Sequence, residues 1–224
     1  MKRFLITLSP LFICIISCIS QIDTKTYFDS SLKVDINNIP INKEQNYFPL
    51  HFFPSMDFRT KQVKIEKDTF LVKWYSEHLY AMKEPLLYNR KFDKEIYRFT
   101  WLRTFHNPIS IRIEKEGENY KLIWKLCNGA GGYEPGDLIV DKEKLIDKIT
   151  WDEFKIKISN ADFWDLDIGR ETLGLDGAEW ILEGVTSNNY HVVNKWSPTK
   201  GSFYDCCSYL INLTDLDIKN RDKY

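Results

Sequence analysis

The chain has 224 residues, 43% of them apolar and 15% aromatic, which is enough for one well-filled core and too little for two. Its 31 basic and 32 acidic residues leave a formal charge of -1, so no global field draws it to DNA or RNA, and nucleic acid is set aside as a partner. Histidines at 51, 78, 106 and 191 and the lack of a C-x-x-C pair offer no ligand spacing, so neither a structural metal nor a cofactor is expected.

Lys2 and Arg3 precede an almost purely apolar stretch from Phe4 to Ser17, too short to span a bilayer comfortably and flanked as a signal peptide is. Ile15-Ile16-Ser17-Cys18 resembles the bacterial lipobox. That resemblance implies removal of residues 1–17, palmitate-type lipidation of Cys18 and an exported protein anchored in the bacterial cell envelope, at its periplasmic or outer face. An ordinary secretory signal cut nearby is the alternative, and it exports the chain equally. Export permits disulfides, and Cys127, Cys206 and Cys207 leave room for one bridge from Cys127 to either of the others. Burial as small apolar side chains competes with that bridge.

Residues 18–60 read as the lipidated cysteine, a polar tether to about Asn46, and an aromatic arm at 47–54 that lies against the folded body. Residues 61–224 read as a single globular domain. Leu71, Tyr75, Leu79 and Met82 recur at helical spacing and stop before Glu84-Pro85. The period then changes to two over Tyr97 to Phe105, Ile109 to Ile113 and Leu122 to Leu126, with a hairpin loop at Glu116-Gly117-Glu118-Asn119. Thr150 to Glu153 has the form of a capping box opening a helix with Trp151, Phe154 and Ile158 on one stripe, ending at Asn160. Ala178 to Val185 and Tyr190 to Trp196 form a second hairpin around Ser187-Asn188-Asn189, and Ser202 caps a last helix with Phe203, Cys207 and Leu210 inward. The expected fold is α+β, an antiparallel sheet of meander and hairpins with two or three helices packed mainly on one face.

Several stretches together resemble a family of uncharacterised exported bacterial proteins over roughly residues 70 to 216. They are Trp74-Tyr75-Ser76 with Glu84-Pro85, Tyr97 to His106, Gly129 to Gly136, and Gly174 to Trp180 leading to Tyr190-His191 and Trp196-Ser197-Pro198. The resemblance implies an envelope protein and carries no activity, ligand or catalytic residue.

Four glycines in ten positions, Cys127 to Gly136, raise the question of a phosphate cradle. A phosphate loop opens a helix and supplies a cation; here Glu134-Pro135-Gly136-Asp137 and the strand-like Leu138-Ile139-Val140 follow, so a strand connector with glycines at positive φ is expected. With the Leu175-Asp176-Gly177 loop it makes the candidate binding surface, comprising Gly131, Gly132, Tyr133, Glu134, Asp137, Asp176 and Glu179, and Trp196 and Tyr133 are the aromatics expected to be exposed. Arg103 and Glu183, each flanked by apolar groups, call for an ion pair with one another or with a neighbour, or else for a cleft. His191, expected opposite Thr186 on the face that Glu183 does not share, completes the alternative of a small envelope hydrolase using Glu183, His191 and Arg103. The main expectation is a lipid-anchored, non-catalytic binding or interaction module. Its partners are the membrane, through Cys18, and another envelope protein or a small ligand. A further alternative is an inhibitor or immunity-type partner, marked by a large exposed apolar patch.

Overall fold

The computed structural model describes residues 32–50, 52–53, 55–56, 63–64, 69–88, 93–169, 174, 176–219 and 222–224. The expected signal peptide and Cys18 lie outside them. A two-stranded ribbon, β1 (Ser55–Met56) with β2 (Val63–Lys64), precedes helix α1 (Thr69–Ala81). The body is one antiparallel sheet of six strands: β3 (Glu95–Arg103), β4 (Ile109–Glu116), β5 (Asn119–Cys127), β6 (Leu138–Leu145), β7 (Ala178–Val185) and β8 (Tyr190–Trp196). Their spatial order is β6-β5-β4-β3-β7-β8, so the expected meander runs outward from β3 and the second hairpin returns to its free side. Helix α2 (Lys148–Asn160) lies in the crossover from β6 to β7, and α3 (Ser202–Leu213) follows β8. This is the α+β architecture expected.

Strand alternation sorts the side chains into two cores. Tyr97, Phe99, Trp101, Ile111, Leu122, Trp180 and Leu182 point to one face, where Trp151, Phe154 and Ile158 of α2 and Phe203, Cys207 and Leu210 of α3 cover them. On the other face Ile96, Leu102, Ile181, Val185 and Val192 meet Leu71, Val72, Tyr75 and Leu79 of α1. The aromatic arm is part of this second core rather than a surface layer: Tyr47, Phe48, Phe52 and Phe53 are all buried. Phe48 and Phe53 pack edge-on against Tyr75 at 6.3 and 5.2 Å between ring centroids.

Local chemistry sets the helix ends. The α1 terminus closes with Glu84 N donating to Leu79 O (3.0 Å) and Lys83 N to Tyr80 O (2.9 Å), a Schellman turn that places Lys83 at φ 50. The expected Thr150 cap is displaced: Asp147 caps α2, its Oδ1 accepting from Thr150 N at 2.8 Å. Asp147 is an equally good cap, and starting there adds nearly a turn of helix before Trp151. Glu153, freed from a capping role, accepts from Tyr209 Oη at 2.8 Å. Ser202 is likewise the first helical residue rather than the cap, which is Gly201 at φ 99.

The β7–β8 hairpin turns two residues earlier in register sum than expected, because Thr186 N donates to Asn189 O and Thr186 Oγ1 accepts from Asn189 N. His191 therefore pairs with Gly184, not Thr186, and Glu183 with Val192. Between α1 and the sheet lies a layer of buried charge. Arg98, directly across from Glu183, donates to its Oε2 from Nε (2.7 Å) and Nη2 (2.5 Å), and from Nη1 to Pro85 O (2.7 Å). Tyr190 Oη donates to Glu183 Oε1 at 2.9 Å. Although burial opposes its charge, Glu183 and Glu84 hold the Arg98 guanidinium above its already high pKa. Arg98→Met, which strands Glu183 without its cation, is expected to cost about 3–5 kcal/mol in chemical denaturation. Arg98→Met with Glu183→Leu should recover part of that loss, and a double variant no more stable than the single one would contradict the pairing.

Candidate functional site

The glycine loop joins β5 to β6 and closes on itself through ladder-like bonds: Asn128 N to Asp137 O, Gly129 N to Pro135 O and Ala130 N to Glu134 O, at 2.9 to 3.0 Å. Asn128 Oδ1 accepts from Asp137 N at 2.8 Å. A strand, β6, follows the loop, so it is a connector and not the mouth of a helix. Only Gly136 of its four glycines has positive φ, 70, which corrects the expectation that chirality explains them all. Gly131 and Gly132 are required by contact. A Cβ on Gly131 would stand 2.5 Å from Arg103 N and 2.6 Å from Leu102 C, and one on Gly132 2.9 Å from Thr104 Cα.

That close approach welds the loop to the end of β3, where Gly131 N donates to His106 O (2.9 Å) and Gly132 N to Thr104 O (3.2 Å). Thr104 simultaneously holds the second loop: its N and Oγ1 donate to Gly177 O at 2.8 and 3.0 Å, and Oγ1 accepts from Gly177 N at 3.1 Å. The two candidate loops thus flank one residue at one end of the sheet. Helix α1 braces the same loop, with Trp74 Nε1 donating to Gly131 O at 3.0 Å and His78 Nε2 lying 3.4 Å from Ala130 O. His78 Nδ1 is 2.9 Å from Trp74 O. Burial lowers the His78 pKa and favours the neutral ring, whose single N–H can serve only one of these two carbonyls, Trp74 O being the nearer.

Of the sequence-derived surface residues, Tyr133, Glu134, Asp137 and Asp176 are exposed, and Gly132 is half-buried. Gly131 is buried beneath the loop, and Glu179 is fully buried on the α1 face, paired with Leu102 and Trp196 in the ladder, so neither presents a side chain outward. Trp196 is half-buried because its indole packs against Gly174 and Gly177, positions where any Cβ would clash with it. Phe105, which the alternation over Tyr97 to Phe105 would place on the face of Trp101, is instead 59% exposed, since β3 ends at Arg103. Its ring lies 6.3 Å from that of Tyr133, itself 62% exposed. The chain turns there, with His106 N donating to Arg103 O at 3.3 Å and both loops bound to Thr104, and no apolar periodicity reveals it.

The hydrolase set does not assemble. Arg103 and Glu183 occupy opposite sheet faces; Arg103 stacks over Trp101 at 4.4 Å and donates to the carbonyls of Asp222 (3.2 Å) and Asn107 (3.1 Å). Burial lowers its pKa to about 10. The ion pair demanded by Glu183 exists, but with Arg98. His191 lies toward the far end of the face it shares with Arg103, between the Phe163 and Trp164 rings, with Nε2 at 2.9 Å from Leu166 O. Cys127 belongs to the α1-side core and Cys206 and Cys207 to the other, so the sheet separates them and all are free thiols. Burial pushes Cys127 up to about 11 and Cys206 up to about 12, which leaves them protonated and unreactive. Among the described residues no His, Cys, Asp and Glu cluster could hold a metal ion, and no helix is long and apolar enough to cross a membrane.

No family model matches the chain, and no curated protein is significantly similar to it. Gly131→Ala is expected to cost about 1–3 kcal/mol in urea denaturation, by driving a methyl into the β3 backbone. A neutral or stabilising effect, as for a glycine with open space, would contradict the weld.

Proposed function

We propose that the chain is a lipid-anchored, exported protein of the bacterial cell envelope whose folded body is a non-catalytic binding module. It engages a protein partner through the loop end of the sheet. The observation that carries this reading is Thr104, bonded at once to Gly132 and Gly177, which fixes two loops from distant parts of the sequence into one surface. Rigid presentation of exposed aromatics spares a binder the entropy of ordering them on contact. Phe105 and Tyr133 form the apolar centre, and Phe70 and Trp74 of α1, 6.0 Å apart, extend it past Gly131. Glu134, Asp137 and Asp176 supply exposed carboxylates around it. Such a surface suits an apolar or aromatic protrusion ringed by lysines or arginines, with the charged rim steering encounter and the aromatics supplying affinity. The exposed aromatic group also suits an inhibitor-type role, which is a special case of the same surface.

A photo-reactive phenylalanine analogue at Tyr133 in cells of the source organism should form a discrete covalent adduct, and the same analogue at exposed Ile156 on α2 should not. Phe105→Ser in that background should remove the adduct without lowering the denaturation midpoint. Equal labelling from both positions, or none, would sink the binding surface. For the anchor, Cys18→Ala should move the protein from the membrane to the soluble fraction, and unchanged membrane retention would count against lipidation.

A further inference from the structure

A cavity of about 360 Å³ opens between the turn at residues 36–39, the end of α1 and the sheet. Lys83 just after α1, Lys94 just before β3, Arg112 of β4 and Lys125 of β5 line it, and no carboxylate is among its lining residues. Pro85 and Ile96 contribute apolar wall. Two of these cations are deeply held: Lys125 is 6% exposed, and the Arg112 side chain is 11% exposed.

The carboxylates that serve this cluster are too few for it. Arg112 Nε donates to Glu84 Oε2 at 3.0 Å and its Nη1 pairs with Glu114, while Lys94 takes the other Glu114 oxygen at 3.0 Å. Lys125 Nζ donates to the Lys83 carbonyl at 2.8 Å and stands 3.6 Å from Glu84 Oε1. Glu84 is itself shared with Arg98 at 3.6 Å. Asp141, 4.0 Å from Lys125, is more than half exposed and screened by water. The two buried carboxylates thus serve the two deep cations, Arg112 and Lys125, and leave Lys83 and Lys94 to carry the surplus positive charge around an open cavity. Lys83 is exposed and Lys94 half-buried, so the surplus charge stands at the mouth of the cavity, where an anion can reach it from solvent. Burial and then the nearby Arg112 charge lower the Lys94 pKa.

We propose that this cavity binds a small phosphate monoester. Its two negative charges sit on one compact group that converging ammonium and guanidinium groups can surround, and Pro85 and Ile96 accept the organic part. The volume lies within the range of small-ligand sites, roughly 300–1,000 Å³. This site is distinct from the loop-end surface and does not depend on it.

The test is calorimetric titration of the full-length protein, in a neutral detergent, with phenyl phosphate and with benzyl alcohol as the uncharged control. Phenyl phosphate should bind saturably and the alcohol should not. Lys83→Gly with Lys94→Met should weaken binding at least ten-fold. Lys83 has left-handed φ, so glycine there removes the charge while easing the backbone, and the fold is retained. Phe105→Ser should leave the titration unchanged, which separates failure here from failure of the loop surface. Vesicles of phosphatidylcholine with phosphatidic acid form a second arm: charge-dependent co-sedimentation lost in the Lys83/Lys94 variant would place the same monoester on a lipid. Absence of saturable binding in both arms up to about 10 mM ester, or binding unaffected by the two substitutions, would overturn the proposal.

Discussion

Everything on the α1 side of the sheet depends on where the Glu84 carboxylate goes. Burial would raise its pKa, but Arg112, Arg98 and Lys125 together hold it below the usual carboxylate range, so it is buried as an anion. A buried anion is tolerated only with its cations in place, and those cations come from three adjacent strands, β3, β4 and β5. The Schellman turn at Lys83 delivers Glu84 to that point and at once gives Pro85 O to Arg98, which carries the linkage on to Glu183 in β7. The end of α1 is thus pinned to four strands by charge, while Tyr47 Oη, donating to Glu84 O at 2.8 Å, brings the aromatic arm over the same spot. Pinning one end of α1 fixes the azimuth of the whole helix, and so directs Trp74 and His78 onto the glycine loop.

Sheet alternation and the helical stripes were legible in the sequence because they are local. Ile109-Ile111-Ile113 and Leu122-Trp124-Leu126 need only their own period to choose a face, and Gly117 at φ 59 closes their hairpin where turn chemistry predicts it. The partner of Glu183 was not legible. It depends on β7 crossing the whole sheet to pair with β3, and in that register Arg98, not Arg103, stands opposite. The same crossing explains the loops: Gly131, Thr104 and Gly177 are far apart in sequence and meet only because β3 is flanked by β4 and β7. Local rules also competed, as at α2, where two adequate caps lay three residues apart and Asp147 prevailed over Thr150. A cavity assembled from Lys83, Lys94, Arg112 and Lys125 has no sequence signature at all.

Near-zero net charge conceals a division of charge across the fold. Exposed carboxylates at Glu134, Asp137 and Asp176 gather at the loop end, while lysines and an arginine gather in the cavity behind α1. Both features rest on the same brace: α1 carries Trp74 to the first and Lys83 to the second.

The proposed binding role needs the loop end to be a preformed surface, as rigid as the sheet that carries it. Native-state hydrogen exchange of the Gly131, Gly132, Thr104 and Gly177 amides measures this directly. These amides are expected to open only with global unfolding, at the same free energy as β3 amides such as Phe99. Exchange through low-energy local opening, as for a mobile connector, would contradict it.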